Sequence, residues 1–282
     1  MTKWNMIFDV DRCTNCRNCF ISVLDEYAEN EHKGYSAPAP RKGTHLFQIK
    51  TYEQGSGQDL SVAYVPKSCN NCANAPCVKA SSDGAVYQRE DGIVMIDPVK
   101  SKGRKDIVET CPYGQIHWNA EEEVPQVWTF DAHLLDNGWK QPRMVESCPT
   151  IAIEAVKCSD AEMEDRAKTE NLRTLKPEMG TKPRIYYKNL DQVFENFLVG
   201  AVLVKNGEQT DALEGVKVML SEAGNELKST QTDFFGDFKF TGLKQEPTEY
   251  TISVEVEGHE TQSRTLTVSD SHRTEPFVYA GG

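Results

Sequence analysis

The stretch Cys13-Thr-Asn-Cys16-Arg-Asn-Cys19 places three cysteines at intervals of three residues. Thiols at positions i, i+3 and i+6 curl a short loop around a single object. Such close neighbours could form disulfides only with distant partners, and the total of nine cysteines is odd. The spacing therefore indicates metal binding rather than a disulfide framework.

The triplet favours an iron–sulfur cubane over a zinc ion. A structural zinc site usually takes two ligands from each of two knuckles, whereas bacterial ferredoxins use the spacing C-x2-C-x2-C-x3-C-P. Three thiolates from one short loop suit three corners of a cubane. A pair of structural zinc ions remains the alternative for the eight clustered cysteines.

The ferredoxin spacing can be laid on the chain four times, and the first two registers keep their triplets. The first register contains Cys13, Cys16 and Cys19, with Val23 in the fourth place. The second register contains Cys69, Cys72 and Cys77, with Ser81 in the fourth place. Both triplets therefore lack a local fourth ligand.

The last two registers keep only their final Cys-Pro pair. The third ends in Cys111-Pro112, and its other places hold Ser101, Arg104 and Ile107. The fourth ends in Cys148-Pro149, and its other places hold Trp128, Asp131 and Met144. We interpret Trp128 and Met144 as residues that fill the space of a lost cluster, because a void there would cost stability.

Triplets and single cysteines match one for one. In two-cluster ferredoxins the fourth cysteine of one run binds the cluster of the other run, so each triplet needs a remote Cys-Pro. The chain thus has ligands for two complete clusters, and Cys158 is left over as an expected inert thiol. The spacing alone leaves open whether the first triplet is completed by Cys148 or by Cys111.

The four-register layout resembles the iron–sulfur subunits that accompany molybdenum or tungsten enzymes of the dimethyl sulfoxide reductase family. Within that family it is most similar to small subunits of the pyrogallol–phloroglucinol transhydroxylase type. The resemblance covers nearly the whole chain and includes the C-terminal extension. The segments that carry it are Asn74-Ala-Pro-Cys77, Gly84-Ala-Val-Tyr-Gln-Arg-Glu-Asp-Gly-Ile93, Cys111-Pro-Tyr-Gly114, Ala132-His-Leu-Leu-Asp136, Gly180-Thr-Lys-Pro-Arg-Ile-Tyr-Tyr-Lys-Asn-Leu190 and Phe234-Phe-Gly-Asp-Phe-Lys-Phe240.

The resemblance implies a nested pairing of registers, first with fourth and second with third. One [4Fe–4S] cluster would then be held by Cys13, Cys16, Cys19 and Cys148. The other would be held by Cys69, Cys72, Cys77 and Cys111. The resemblance also implies an electron-transfer subunit without catalytic residues. Its large partner would carry molybdenum and molybdopterin guanine dinucleotide, and would hydroxylate, dehydroxylate or transhydroxylate phenolic rings in anaerobic aromatic metabolism.

Changes in pattern along the chain predict an α+β protein with three parts. Residues 1–158 form a bacterial-ferredoxin-like iron–sulfur domain with an insertion at about 26–65, and residues 159–195 form a connector. In residues 196–282 apolar side chains alternate with period two between Gly-containing turns, as in Tyr250-Thr-Ile-Ser-Val-Glu-Val256. This last part is expected to be an all-β sandwich or barrel, and it resembles the transthyretin-like or carboxypeptidase-regulatory-like fold.

The charge and hydropathy of the chain exclude several classes of partner. The 31 basic and 43 acidic residues give a net charge of −12, which repels nucleic acid and anionic membranes. The apolar stretch Phe197–Val204 is far shorter than the roughly 20 residues of a membrane span. A short, polar N-terminus and unpaired thiols favour the cytoplasm.

Two other functions fit the same residues. The chain could be a free-standing ferredoxin-like carrier with a β-domain for docking, or a structural subunit whose clusters stabilise the fold. The insertion and connector favour a subunit surface over the carrier. Outside the cysteines, Arg104 suits either a functional cation or a surface ion pair, whereas His117 and His133 are expected to be structural.

We predict about eight iron atoms per chain, four for each of two cubanes. Iron and acid-labile sulfide are to be measured on protein purified without oxygen. About four or about twelve iron atoms would contradict the count of two clusters. Zinc in place of iron would contradict the assignment of the cysteines altogether.

Overall fold

The computed structural model describes residues 1–43 and 45–281, which form two compact units. The first unit contains Met1–Thr51 and Tyr64–Leu190, and the second contains Tyr52–Ala63 and the residues from Asp191 onward. Each unit has buried hydrophobic residues of its own. The division of the chain at residues 158 and 195 stays a prediction.

The part of the chain up to residue 190 consists of short strands and short helices joined by long loops. In chain order the strands are β1 (Lys3–Asp9), β2 (Gln48–Gln54), β3 (Ser61–Lys67), β4 (Val86–Gln88), β5 (Val94–Ile96), β6 (His117–Asn119), β7 (Val124–Gln126), β8 (Ile153–Cys158) and β9 (Ile185–Lys188). The α-helices are α1 (Asn18–Tyr27), α2 (Pro76–Lys79), α3 (Ala132–Asp136), α4 (Arg143–Glu146) and α5 (Asp160–Thr169). Three-residue to six-residue 3-10 helices lie at Gly57–Asp59, Lys105–Thr110 and Pro177–Met179.

Strand β1 is the centre of the first unit. It pairs antiparallel with β8 and parallel with β9, and the five residues from Trp4 to Phe8 are buried. Strand β9 and helix α5 lie in the segment that the sequence suggested was a connector. The N-cap of α5 is a capping box, in which Ser159 and Glu162 satisfy each other's backbone N–H groups.

The remaining strands of this part of the chain form three two-stranded sheets, β2–β3, β4–β5 and β6–β7, and the last two are antiparallel. The turn Asp91-Gly92 lies between β4 and β5, and Gly92 has a φ of +87°, which only glycine adopts without strain. The loop between α1 and β2 is fixed to the β6–β7 hairpin, because Asn119 and Gln126 donate hydrogen bonds to the carbonyls of Pro38 and Ala37. This part of the predicted insertion therefore packs on the first unit itself.

The second unit is an all-β structure preceded by one short helix, α6 (Asp191–Phe194). Its strands are β10 (Asn196–Asn206), β11 (Gln209–Ala212), β12 (Lys217–Glu222), β13 (Asn225–Gln231), β14 (Asp237–Leu243), β15 (Thr248–Glu255), β16 (Gln262–Val268), β17 (His272–Arg273) and β18 (Phe277–Ala280). One sheet has the order β11-β10-β14, with β17 and β18 also on β10, and the other has the order β13-β12-β15-β16.

Side chains from both sheets form one hydrophobic core, which includes Leu198, Leu220, Ile252 and Phe277. These residues are the inward-facing half of the period-two pattern, so the alternation in the sequence reports burial directly. The predicted α+β class with a C-terminal all-β part is confirmed. Within the described residues this part contains nine strands, of which β17 and β18 are too short to show a period.

None of the helices in the described part of the chain is long and apolar enough to span a bilayer.

The core of the second unit provides a stability prediction. Ile252 is fully buried in β15, so Ile252→Ala should cost about 2–5 kcal/mol of folding free energy. Hydrogen exchange followed by mass spectrometry should show faster exchange across β10–β18. Thr251→Ala, at the partly exposed neighbouring position of the same strand, is the matched control. Equal exchange in both variants would contradict this core.

Candidate iron–sulfur sites

The central sheet brings the first cysteine triplet to Cys148. Strand β1 ends where its antiparallel neighbour β8 begins, and the Asp9 N–H donates to the Ala152 carbonyl at 2.8 Å. The loop after β1 and the loop before β8 therefore leave the same end of the sheet. Helices α1 and α4 hold the two loops together, since the Ser22 and Ser147 hydroxyls hydrogen-bond at 2.6 Å.

The sulfurs of this first group lie close enough to raise the pKa values of two of its members. Burial, together with the charges of Cys13, Cys148 and Cys16, raises the pKa of Cys19 to about 12. Burial likewise raises the pKa of Cys13, with added contributions from Cys148 and Cys16. The group is partly open, because Cys16 is exposed and Cys19 is buried.

The second group is more enclosed. Cys69, Cys72, Cys77 and Cys111 line one pocket, whose apolar wall includes Val86, Ile96 and Ile116. Burial, together with the charges of neighbouring thiolates, raises the pKa of Cys69 strongly and raises the pKa values of Cys72 and Cys77 to about 11. The first three cysteines are all buried, so the pocket is shielded from solvent.

Left-handed backbone residues shape both cysteine loops. Asn15, Arg17, Asn71 and Ile151 all have φ between +45° and +63°. Only the asparagines tolerate this conformation well, so Arg17 and Ile151 store local strain of the kind that is kept at functional sites. The curled loops aim backbone N–H groups at sulfur: Ala152 donates to Cys148 at 3.3 Å and Gln115 donates to Cys111 at 3.4 Å.

These donor sets fit an iron–sulfur cluster. Thiols gathered in a small, partly buried space are a poor arrangement in a protein without a cation, because a desolvated thiolate is costly and neighbouring thiolates repel it. Iron would reverse this balance by binding the thiolates directly. The backbone N–H groups around the sulfurs would then stabilise the negative charge that remains.

Polar and apolar side chains occupy the third register. Ile107 is buried, and the buried Ser101 hydroxyl has no hydrogen-bond partner among the described residues. Arg104 forms ion pairs with Asp83 and Asp106 at 2.6 and 2.8 Å. Of the two roles considered for Arg104, the structure shows the surface ion pair.

The fourth register is filled by a buried hydrogen-bond network around Asp131. Its Oδ1 accepts from Trp128 Nε1 at 2.8 Å and from the Tyr27 hydroxyl at 2.9 Å, and its Oδ2 accepts from the Arg143 N–H at 2.9 Å. Burial raises the pKa of Asp131, although the three donors oppose that shift. Trp128 and Met144 are fully buried beside it, as expected of residues that fill the place of a cluster.

Three potential metal ligands also meet beside this network. Glu26, His32 and His133 place their ligand atoms within 4.8 Å of one another. However, Arg143 occupies Glu26 Oε2 at 2.8 Å, and the two imidazoles are stacked at 3.7 Å rather than convergent. Burial opposes ionisation of Glu26, but hydrogen bonds from His133 and Arg143 outweigh it and lower the pKa. The cluster is therefore an ion-pair network, and His133 is structural.

The other residues singled out by the sequence lie apart from the cysteine groups. Cys158 ends β8 and contacts the Asn5 side-chain amide at 3.7 Å, and burial raises its pKa. His117 lies in β6, where burial lowers its pKa. Neither residue adds a ligand to the two groups.

Sequence reasoning missed two residues of the second group. Thr181, in the segment taken for a connector, is buried, and its side chain opposes the rise that burial causes in the pKa of Cys72. The Tyr113 hydroxyl lies 2.6 Å from the Thr181 hydroxyl. Both residues lie in segments that carried the family resemblance, but neither spacing nor periodicity assigns them a role.

Two protein families match two separate parts of the chain. Residues 60–158 match the family described as a 4Fe-4S dicluster domain. Residues 199–276 match the family described as a carboxypeptidase regulatory-like domain. The chain thus combines a part similar to 4Fe-4S dicluster domains with a C-terminal part similar to carboxypeptidase regulatory-like domains.

Curated relatives narrow the class further. The chain is 43% identical to the pyrogallol hydroxytransferase small subunit of Pelobacter acidigallici, over 96% of each chain. It is 32% identical to a tetrathionate reductase subunit of Salmonella typhimurium, over 70% of this chain and 77% of that one. It is 29% identical to a putative dimethyl sulfoxide reductase iron-sulfur subunit of Halobacterium salinarum, over 67% and 80%.

The chain belongs to the family of iron–sulfur electron-transfer subunits of molybdenum enzymes of the dimethyl sulfoxide reductase type, which includes the pyrogallol hydroxytransferase small subunit. The family and the electron-transfer role expected from the cysteine registers are both confirmed. The ligand set of each cluster stays a prediction.

The Asp131 network provides a second stability prediction. Asp131→Ala removes the acceptor of three hydrogen bonds, which should cost about 2–4 kcal/mol. At that cost the melting temperature of the purified protein should fall by about 4–16 °C. Asp165→Ala, on the exposed face of α5, is the control and should change little. A melting temperature unchanged by Asp131→Ala would show that the network does not stabilise the first unit.

Proposed function

We propose that this chain carries two [4Fe–4S] clusters and passes electrons to and from a large molybdopterin-bearing subunit. One cluster is held by Cys13, Cys16, Cys19 and Cys148, and the other by Cys69, Cys72, Cys77 and Cys111. The observation that carries the proposal is the gathering of all eight cysteines into two groups of four. Each cluster takes up and releases one electron at a time.

The first group is the side that we expect the large subunit to cover. Cys16 is exposed there, and Ile151, three residues after Cys148, is 72% exposed. Ile21, which follows the triplet on α1, is 55% exposed. Apolar residues around a solvent-open cluster loop favour a protein interface, which excludes water from the cluster and shortens the electron path.

The partner's reaction is proposed from a relative that matches almost the whole chain. The match to the pyrogallol hydroxytransferase small subunit includes the C-terminal β-domain, whereas the match to the tetrathionate reductase subunit covers 70% of the chain. We therefore infer that the partner hydroxylates, dehydroxylates or transhydroxylates a phenolic ring. Molybdenum and molybdopterin guanine dinucleotide belong to that partner alone, and the complex is a heterodimer or a multiple of one.

The filled third and fourth registers support a short relay. Asp131, Trp128 and Met144 occupy the fourth register, and Arg104 and Ile107 occupy the third, so neither register has the thiolates of a cluster. A transhydroxylation transfers a hydroxyl group without net electron flow to an outside carrier, and it needs no long chain of clusters. The unpaired thiols that the clusters require support a cytoplasmic location.

Paired substitutions test which cysteines share a cluster. Cys16→Ala with Cys148→Ala should remove one of the two electron paramagnetic resonance signals of the reduced protein, since both ligands serve one cluster. Cys16→Ala with Cys111→Ala should remove both signals. Loss of both signals in the first pair and of one in the second would show that the triplets take the opposite single cysteines.

Cys158→Ala is the matched control for these substitutions. It removes a thiol that lies outside both groups, so both signals and the iron content should be kept. Loss of a signal in this variant would contradict the proposed ligand sets.

Anaerobic co-purification with the native partner, followed by iron and molybdenum counting, tests the complex itself. About eight iron atoms and one molybdenum per heterodimer are expected.

A further inference from the structure

Three exposed lysines meet at one surface turn beside the second cysteine group. This lysine patch consists of Lys79, Lys176 and Lys182. Lys176 and Lys182 lie on either side of Gly180 in the chain, and the Asn74 side chain ties Lys79 to the same turn. Asn74 Nδ2 donates to the Gly180 carbonyl at 3.1 Å, and Asn74 Oδ1 accepts from Lys79 Nζ. The three lysines therefore share one small area of the surface.

The lysine patch is bonded directly to the loops that carry the cysteines. The N–H of Ala73, which follows Cys72, donates to the Lys182 carbonyl at 2.9 Å. Lys176 Nζ donates to the carbonyl of Pro112, which follows Cys111, at 3.2 Å. Lys79 ends α2, the helix that contains Cys77. A protein that binds to the patch would thus lie beside the second group.

The charge of the patch is opposite to that of the chain. The whole chain has a net charge of −12, yet none of the three lysines forms an ion pair with another described residue. One acidic side chain, Glu178, lies in the same turn and leaves two positive charges in excess. The excess attracts acidic groups to this part of the surface.

An apolar side chain and a groove complete the surface. Met179, between Lys176 and Lys182, is 46% exposed. A groove of about 280 Å³ is lined by Lys182 and by Arg184, whose buried Nε has no acceptor among the described residues. Of the two carboxylates that also line the groove, Asp160 is paired with Arg184 at 2.6 Å and Glu164 is not. An apolar centre with a positive rim suits a partner that presents carboxylates.

Two of the three reactions proposed for the large subunit require electrons to cross the boundary of the complex. Hydroxylation of a ring by water replaces a C–H bond by a C–O bond and releases two electrons and two protons, so that ArH + H₂O gives ArOH + 2e⁻ + 2H⁺. Dehydroxylation takes up the same two electrons and two protons. Because a cluster passes one electron at a time, two one-electron carriers must react for each ring.

We propose that the lysine patch docks an acidic, soluble one-electron carrier protein, and that electrons pass between this carrier and the cluster held by Cys69, Cys72, Cys77 and Cys111. This inference rests on the proposed function, because it requires a cluster in that group. The first group then faces the large subunit, and the second group faces the carrier.

The test mixes the oxidised, anaerobic complex with fully reduced flavodoxin, an acidic flavin protein, in a stopped-flow spectrometer. Each flavodoxin gives one electron to a cluster and becomes the semiquinone, whose absorbance reports the rate. Changing Lys79, Lys176 and Lys182 together to Glu should lower the second-order rate constant at low salt about tenfold or more. Added salt should slow the wild-type reaction and not that of the variant.

The matched control reverses three exposed lysines outside the patch, Lys33, Lys205 and Lys217. This triple change to Glu alters the net charge of the chain equally, so the rate should stay close to that of the wild type. An equal loss of rate in the two triple variants would overturn the inference. A wild-type rate that does not depend on salt would overturn it as well.

Met179→Asp gives a second measurement that leaves every lysine in place. It adds a negative charge to the patch, so the rate with flavodoxin should fall. Should the triple patch variant lose iron, Met179→Asp decides the question, and an unchanged rate in it would contradict the docking site. Reduced methyl viologen, a small cation, needs no acidic docking surface and should reduce each patch variant at least as fast as the wild type.

Iron counting and methyl viologen separate this inference from the proposed function. If the wild-type complex holds far fewer than about eight iron atoms, the proposed function fails. If it holds them and methyl viologen reduces both clusters, but the patch variants react with flavodoxin as fast as the wild type, the proposed function stands and the docking site is wrong.

Discussion

The structure depends on the free-energy cost of gathering four thiolates into one small space from which water is partly excluded. Burial and repulsion by neighbouring thiolates raise the pKa values of cysteines in both groups, most clearly of Cys19 and of the fully buried Cys69. Iron bound to the thiolates would offset that cost, and the backbone N–H groups of the curled loops would stabilise the charge that remains. The rest of the first unit serves to bring the loops together: β1 and β8 meet at one end for the first group, and the 3-10 helix Lys105–Thr110 precedes Cys111 for the second.

The third and fourth registers show how the chain is arranged where the cysteine triplet is absent. In the fourth register Phe130 and Asp131 still have positive φ values, like the residues of the cysteine loops. The Asp131 carboxylate now accepts the hydrogen bonds that keep this turn closed, including one from a backbone N–H, as sulfur does in the intact groups. In the third register the replacement is less ordered, because Arg104 forms ion pairs at the surface and the Ser101 hydroxyl stays unpaired among the described residues. Apart from their final cysteines, two of the four registers are thus occupied by other side chains.

Local patterns in the sequence predicted the parts of the structure that local chemistry controls. Cysteine spacing identified both triplets, and the period of two gave the C-terminal sheets. Long-range pairing leaves no such pattern. Nothing near Ile185 shows that β9 joins β1. Nothing near Asp59 shows that the loop between β2 and β3 belongs to the second unit, where Asp59 pairs with Arg273 at 2.6 Å. The hydrogen bond between the Thr181 and Tyr113 hydroxyls was missed for the same reason, since the two residues are distant in sequence.

The central claim is that the two clusters exchange electrons with the chemistry of a molybdenum-bearing partner. The most direct measurement adds a polyphenol that the native heterodimer converts to the anaerobic, oxidised complex, and follows the spin concentration of the reduced clusters. We predict that a cluster signal develops with the polyphenol and is abolished when the large subunit is removed. Clusters that are reduced by dithionite but do not respond during turnover of any phenolic substrate would contradict the account and leave them with a structural role.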